Sequence, residues 1–141
     1  MIGNGTLSLL HDAQMPSIII HIFKQLNIGD FRVRINNRKI LLGFFAGLGL
    51  GEQQAQSVLK IVDDLEKLPH KVIITQFEAA GLDGDTQDLL FHFLRLEGKN
   101  RDKIKALKDL SVQDQMLMQG IEELETVLTA LENMGVEEKY I

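Results

Sequence analysis

The sequence predicts a mainly α-helical fold with a small antiparallel β element, an α+β arrangement. Apolar residues recur at helical spacing over most of the 141 residues, which is typical of amphipathic helices. Residues 31–36 instead alternate apolar and polar side chains, which is typical of a strand with one buried face. One strand among a series of helices therefore defines the predicted fold class.

The composition is that of a soluble globular protein. The chain is 45% hydrophobic and 25% charged, and its net charge of -5 argues against a protein whose whole surface binds nucleic acid. It has no cysteine, which excludes disulfides, thiolate zinc sites and cysteine nucleophiles. Because neither a membrane-spanning run nor a signal peptide is visible, we expect a cytoplasmic protein with no membrane partner.

The first predicted helix runs from His11 to Leu26 and has one apolar face that we expect to be buried. Pro16 should lie in or near its first turn, where a missing N–H is tolerated. Residues 27–30, NIGD, supply a glycine stop. The members of the apolar face are Met15, Ile18, Ile19, Ile22, Phe23 and Leu26.

The strand follows, with Phe31, Val33 and Ile35 on its core face. Its other face carries Arg32, Arg34 and Asn36. The next helix, from about residue 38 to 48, contains Gly43 and Gly47, and interior glycines of this kind usually mark close packing of another backbone.

The remainder of the chain reads as helices. One contains the apolar residues of 58–68 and stops at Pro69. A short helix follows from about 69 to 80, although its run KVIIT could also form a strand. Asp85 is positioned to cap a third, which ends at Gly98. A short helix around 104–110 has a cationic outer side, and Ser111 with Asp114 resembles a capping box that opens the longest helix.

No set of residues forms a self-sufficient active site. The four histidines lack the spacing that would place two of them on one metal ion, and the G-x-G at residues 3–5 reads as a tight turn. No G-x-S-x-G is present. We therefore expect no catalytic residue, no metal site and no cofactor site in this chain.

Two basic clusters are candidates for anion contact. The first contains Arg32, Arg34, Arg38 and Lys39, and guanidinium groups can bind phosphate or carboxylate bidentately. The second suits contact with a nucleic-acid backbone, which needs positive charge but no base reading. It contains Lys99, Arg101, Lys103, Lys105 and Lys108. For either cluster, an ordinary solvated surface is the alternative that the residues alone favour.

Residues 2–50 resemble the middle of histidyl-tRNA synthetases. The shared features are a G-T-L-S-L element, a helix ending before D-F, the run R-I-N-N-R-K and a glycine-spaced helix after it. Residues 52–135 are similar to the helical insertion domain of that family in length and layout. The last residues, VEEKYI, look like the link that precedes the family's histidine-recognition motif.

The resemblance implies a helical insertion domain attached to a fragment of a class II synthetase catalytic sheet. Residues 1–48 would belong to the catalytic domain as helix, strand and helix, 49–136 to the insertion domain, and 137–141 to the link back. The family uses ATP and Mg²⁺ to activate histidine and then transfers it to tRNA, and it is homodimeric. Since the second and third class II motifs and the histidine-recognition motif are missing, we expect the isolated chain to be inactive.

The resemblance also implies partners. The insertion domain of the family lies over the acceptor arm of tRNA, so the Lys99–Lys108 cluster is expected to contact phosphates there. Arg32, Arg34 and Arg38 would face the remaining domains of the parent enzyme, and the isolated chain could self-associate through a sheet edge.

Two alternatives stay open at this point. The regulatory subunit of ATP phosphoribosyltransferase shares the synthetase fold, although the R-I-N-N-R-K-I-L-L-G run favours the synthetase. Independently of any resemblance, the chain could be a helical protein-interaction module with an acidic surface.

Overall fold

Helices account for all the regular structure of the part of the chain that the computed structural model describes, residues 8–65 and 67–141. The turn predicted at residues 3–5 lies outside that part. The α-helices are α1 (Leu9–Leu26), α2 (Arg38–Gly47), α3 (Glu52–Asp63), α4 (His70–Ala79), α5 (Gly84–Leu94), α6 (Asn100–Lys108) and α7 (Gln115–Asn133), followed by a 3-10 turn, η1 (Glu138–Tyr140).

The predicted β element is wrong. A strand exists only where a neighbouring strand completes its hydrogen-bond ladder. Among the described residues, the segment 31–36 makes a single backbone hydrogen bond, from the Val33 N–H to the Tyr140 carbonyl oxygen at 2.8 Å. The predicted alternation of faces is nevertheless confirmed, because the side chains at 31, 33 and 35 are half-buried and those at 32, 34 and 36 are exposed.

The core forms where α2 crosses α7. Phe44 and Phe45 of α2 are fully buried, and so are Leu117 and Ile121 of α7. Gly43 lies against the backbone of α7, as its position inside an apolar helix predicted. The helices α3 to α6 complete the same apolar cluster.

The helix caps are displaced from their predicted positions by a few residues. The side chain of Asp114 itself caps α7 by accepting from the Met116 and Leu117 N–H groups, so Ser111 is not the cap. For α5 the cap is Asp83, which accepts from the Thr86 N–H, and not Asp85. In both cases the role belongs to the aspartate immediately before the first helical residue.

The helix α1 differs from its prediction in two ways. It begins at Leu9, so Pro16 lies well inside the helix and not in its first turn. The face expected to be buried is largely exposed: Ile18 is 50% exposed and Ile22 45%. What α1 buries is the opposite side, where Ala13 packs with Val127, Ala130 and Leu131 of α7.

The long helix α7 therefore contacts both α1 and α2. The division into residues 1–48, 49–136 and 137–141 stays a prediction. No helix in the described ranges combines the length and apolar content that a membrane span requires.

Candidate nucleic-acid interface

The helix α6 presents the larger basic cluster. Gly98, at φ 113°, reverses the chain before the helix, and Ile104 anchors its inner side in the core at 5% exposed. The N-terminus has no cap from the Lys99 side chain. Instead the carboxylate of Glu138 accepts a hydrogen bond from the Asn100 N–H at 2.8 Å, so the C-terminal segment holds the start of α6.

Two of the five cations are paired with α7. The Arg101 guanidinium donates to both carboxylate oxygens of Glu132, at 2.7 and 3.4 Å, and Lys108 Nζ lies 2.7 Å from a Glu125 oxygen. The hydrogen bond and charge of Glu132 raise the pKa of Arg101, and the hydrogen bond from Arg101 lowers the pKa of Glu132. These two cations serve first to fix α6 on α7.

The other three cations have no ion-pair partner among residues 8–65 and 67–141. Lys99 and Lys105 are exposed, and Lys103 is half-buried. Lys103 and Lys105 lie on either side of the buried Ile104 on α6, and Lys99 stands at the N-terminus of the helix. Within the predicted cluster, these three lysines have the charge that is most available to an anion.

A groove of about 240 Å³ separates the two helices and has an acidic far wall. Glu125 and Glu132 stand on the α7 side, so a phosphate inside the groove would meet two carboxylates. An anion is therefore expected to approach α6 from its outer side. The lining residues are Asn100, Arg101, Ile104, Glu125, Leu128, Thr129 and Glu132.

The smaller basic cluster lies elsewhere and is not brought together with α6. Arg32, Arg34 and Arg38 are all exposed, and Arg32 lines a shallow surface hollow with Asp30, Phe31, Lys139 and Tyr140. The neighbouring Phe31 ring stacks on Tyr140, with ring centres 5.0 Å apart. Contact of these arginines with other domains stays a prediction.

Sequence reasoning missed the polar link between α2 and α7. Asn37 caps α2 by accepting from the Lys39 N–H, and its side-chain amide also donates to Glu123 at 2.9 Å. Lys39 donates to the second oxygen of the same carboxylate. These bonds lower the pKa of Glu123, the one from Lys39 most. The partners lie 84 and 86 residues apart, so no local pattern could pair them.

Nothing in the described ranges groups three histidine, aspartate or glutamate side chains in a way that could hold a metal ion.

Comparison with known proteins identifies relatives over nearly the whole chain. It is 41% identical over 142 residues to the histidine–tRNA ligase of Nostoc sp. PCC 7120, and 36% identical over 139 residues to that of Clostridium tetani. Each match covers 99% of this chain and 31% of the relative. No protein-family model matches the chain.

A solved structure shows the same fold. The crystal structure of histidyl-tRNA synthetase from Nostoc sp. PCC 7120 superposes with a TM-score of 0.93 at 41% identity, over 97% of this chain and 32% of that one. The resemblance inferred from the sequence is thus confirmed, and nothing in the comparisons favours the regulatory-subunit alternative. The chain spans about a third of the length of the ligases that it matches.

Proposed function

We propose that this chain acts as part of a histidine–tRNA ligase, an enzyme that activates histidine with ATP and transfers it to tRNA. The observation that supports this most strongly is 41% identity to such an enzyme over 99% of the chain, together with the shared fold. The chemistry is assigned to the intact enzyme, because the described residues bring together no catalytic constellation. The 141-residue chain alone is expected to be inactive.

Within that enzyme, the role of this chain would be to position the acceptor arm of tRNA. Support comes from α6, where Lys99, Lys103 and Lys105 have no carboxylate partner in the described ranges. Lysines of this kind attract phosphates without reading bases, so they would orient the arm and leave tRNA identity to other contacts. The intact enzyme would be a cytoplasmic homodimer that uses ATP and Mg²⁺ through residues outside this chain.

The experiment that tests the ligase assignment replaces the matched 142 residues of the Nostoc enzyme with this chain. The chimera should charge histidine tRNA, while the isolated chain should not. A folded chimera that binds histidine and ATP but charges no tRNA would contradict the assignment.

The acceptor-arm role is tested in the same chimera by reversing two charges. The double variant Lys103→Glu/Lys105→Glu should weaken tRNA binding about tenfold or more at roughly 0.1 M salt, measured by fluorescence anisotropy. The matched control is Lys60→Glu/Lys71→Glu, which changes two exposed lysines of α3 and α4 by the same charge. Equal losses in the two variants would show a general charge effect and remove α6 from the interface.

A further inference from the structure

A short segment, residues 137–140, joins three parts of the chain that are far apart in the sequence. Gly135, at φ 77°, reverses the chain after α7, and the Val136 N–H bonds back to the Leu131 carbonyl oxygen at 3.0 Å. The residues that follow contact α1, the extended segment 31–33 and the start of α6. What holds this segment therefore also bears on how α6 stands relative to α1.

Two residues fasten the segment on the α1 side. The Glu137 carboxylate accepts a hydrogen bond from Lys24 Nζ of α1 at 3.1 Å. The Tyr140 carbonyl oxygen accepts from the Val33 N–H at 2.8 Å, and the Tyr140 ring stacks on Phe31 with ring centres 5.0 Å apart. The backbone between these two residues is therefore fixed.

Glu138 lies between them and reaches across to α6. Its carboxylate accepts a hydrogen bond from the Asn100 N–H at 2.8 Å, 38 positions away in the sequence. Lys99, which precedes the helix, has no side-chain oxygen and makes no cap. Glu138 thus takes the part that a serine or aspartate usually takes from the adjacent position, and its negative charge suits the N-terminal end of the helix dipole.

The first turn of α6 depends on this contact more than the rest of the helix does. Ile104 is buried in the core and Lys108 pairs with Glu125, so the middle and the end of α6 are held without Glu138. The first turn contributes Arg101 to an ion pair, but that side chain is 82% exposed, and exposed pairs stabilise little. Since unsatisfied N–H groups let a helix end fray, the cap from Glu138 decides how well the first turn is ordered.

We propose that Glu138 is a positioning residue for tRNA, which orders the first turn of α6 and so fixes Lys99 and Lys103 where they meet phosphates of the acceptor arm. This rests on the proposed function and adds to it a residue that itself touches no phosphate. Cations that are already in place bind with a smaller loss of conformational freedom. Charge alone predicts the opposite effect, because removing a carboxylate strengthens the attraction of this surface for phosphates. The sign of the effect therefore separates positioning from net charge.

The test measures charging of histidine tRNA by the chimera with the Nostoc ligase. Glu138→Ala should raise the KM for tRNA about fivefold, the effect of losing a helix cap, and change kcat by less than about twofold. Glu138→Gln loses the same charge but keeps an acceptor oxygen, so its KM should stay within about twofold of wild type. The matched control is Glu97→Ala, which removes an exposed carboxylate shortly before α6 and should leave the KM equal or lower.

Amide hydrogen exchange in the 141-residue chain measures the contact without RNA. In Glu138→Ala the Asn100 N–H should exchange at least about fivefold faster than in the wild-type chain, and in Glu138→Gln less than about twofold faster. The internal reference is the Asp109 N–H at the other end of α6, which bonds to the Lys105 carbonyl oxygen at 3.0 Å and should keep its rate in both variants. Faster exchange at Asp109 as well would show that the whole helix depends on Glu138 and would contradict the inference.

The remaining outcomes separate the inference from the proposed function. If Lys103→Glu/Lys105→Glu weakens tRNA binding while Glu138→Ala leaves the KM unchanged, α6 stays in the interface and the inference is wrong. If all three single variants change the KM equally, net charge explains the effect and the inference is again wrong. If the double lysine variant binds tRNA as tightly as wild type, the acceptor-arm role fails and the inference fails with it.

Discussion

Gly43 of α2 lies directly against the backbone of Leu117 of α7. A Cβ at position 43 would overlap the Leu117 amide nitrogen and stand 2.6 Å from its Cα. The reverse contact is made by Gly120, where a Cβ would lie 2.8 Å from the Ile40 amide nitrogen. Two glycines, one from each helix, therefore let the central pair of helices approach at backbone distance.

The first prediction concerns this close approach. Gly43→Ala should lower the free energy of unfolding by about 2–3 kcal/mol, because the obstructing atoms are backbone and cannot rotate away. Urea unfolding followed by circular dichroism measures it. The matched control is Gly84→Ala in the first turn of α5, where nothing lies within 4 Å and the change should be neutral or stabilising. Equal stability of the two variants would show that α2 and α7 can move apart at little cost.

The second prediction concerns Glu123, which holds Asn37 and Lys39 on the side of α2. The pKa of its carboxyl is lowered from the ordinary 4.5, mainly by the hydrogen bond from Lys39. The folded state therefore binds this proton less readily than the unfolded state, so the contribution to stability is complete above about pH 4.5 and lost as the pH falls further.

Glu123→Gln should accordingly cost about 1 kcal/mol at pH 7, and the difference from wild type should shrink as the pH falls below 4.5. Urea unfolding across pH 3–7 measures the difference. Glu122→Gln, an exposed neighbour on α7, removes the same charge and should show no such pH-dependent gap. A gap that is constant down to pH 3 would contradict the role given to the ionised carboxylate.

The sequence predicts the features of this structure that depend on residues close together in the chain, and it fails for those that depend on residues far apart. Periodicity located each helix, and the alternation at residues 31–36 gave the correct faces, because both are local properties of the chain. The β ladder was wrong because pairing depends on a distant partner that no local pattern specifies. The buried face of α1 was wrong because both of its sides are apolar, and only the position of α7 decides which side this chain covers.

The candidate site shows the same limit. Composition along residues 97–109 was enough to find the cations of α6. Composition could not show that Arg101 and Lys108 pair with carboxylates on α7 whereas Lys103 and Lys105 do not. The separation comes from the packing of α6 on α7, which Ile104 fixes.

The third prediction concerns Pro16, which lies inside α1. Proline there has no N–H to donate to the carbonyl oxygen of Asp12, and an interior proline costs a helix about 3 kcal/mol. Pro16→Ala should therefore raise the free energy of unfolding by about 1–2 kcal/mol. The gain is smaller than the full penalty because alanine leaves the unfolded chain with more conformational entropy than proline does. Thermal and urea unfolding measure the change.

The control for that prediction is Pro69→Ala. Pro69 precedes α4 with φ -59°, where its ring is accommodated, so the same replacement should be neutral or cost up to about 1 kcal/mol. If both substitutions change the free energy of unfolding in the same direction, Pro16 does not destabilise α1 as an interior proline is expected to.

The last prediction tests whether the ion pairs of α6 restrain its contact with RNA. The double variant Glu125→Gln/Glu132→Gln frees Lys108 and Arg101 from their partners on α7. Two more cations can then release counterions from a bound acceptor arm, so affinity should rise and the dependence of log K on log salt should steepen by about 1 to 2 units.

The control Glu78→Gln/Glu122→Gln raises the net charge equally at exposed positions that pair with no cation in the described ranges. Fluorescence anisotropy with histidine tRNA between 50 and 300 mM salt, roughly the range over which such contacts weaken, separates the two variants. Identical slopes would mean that only the net charge matters and that α6 lies away from the RNA.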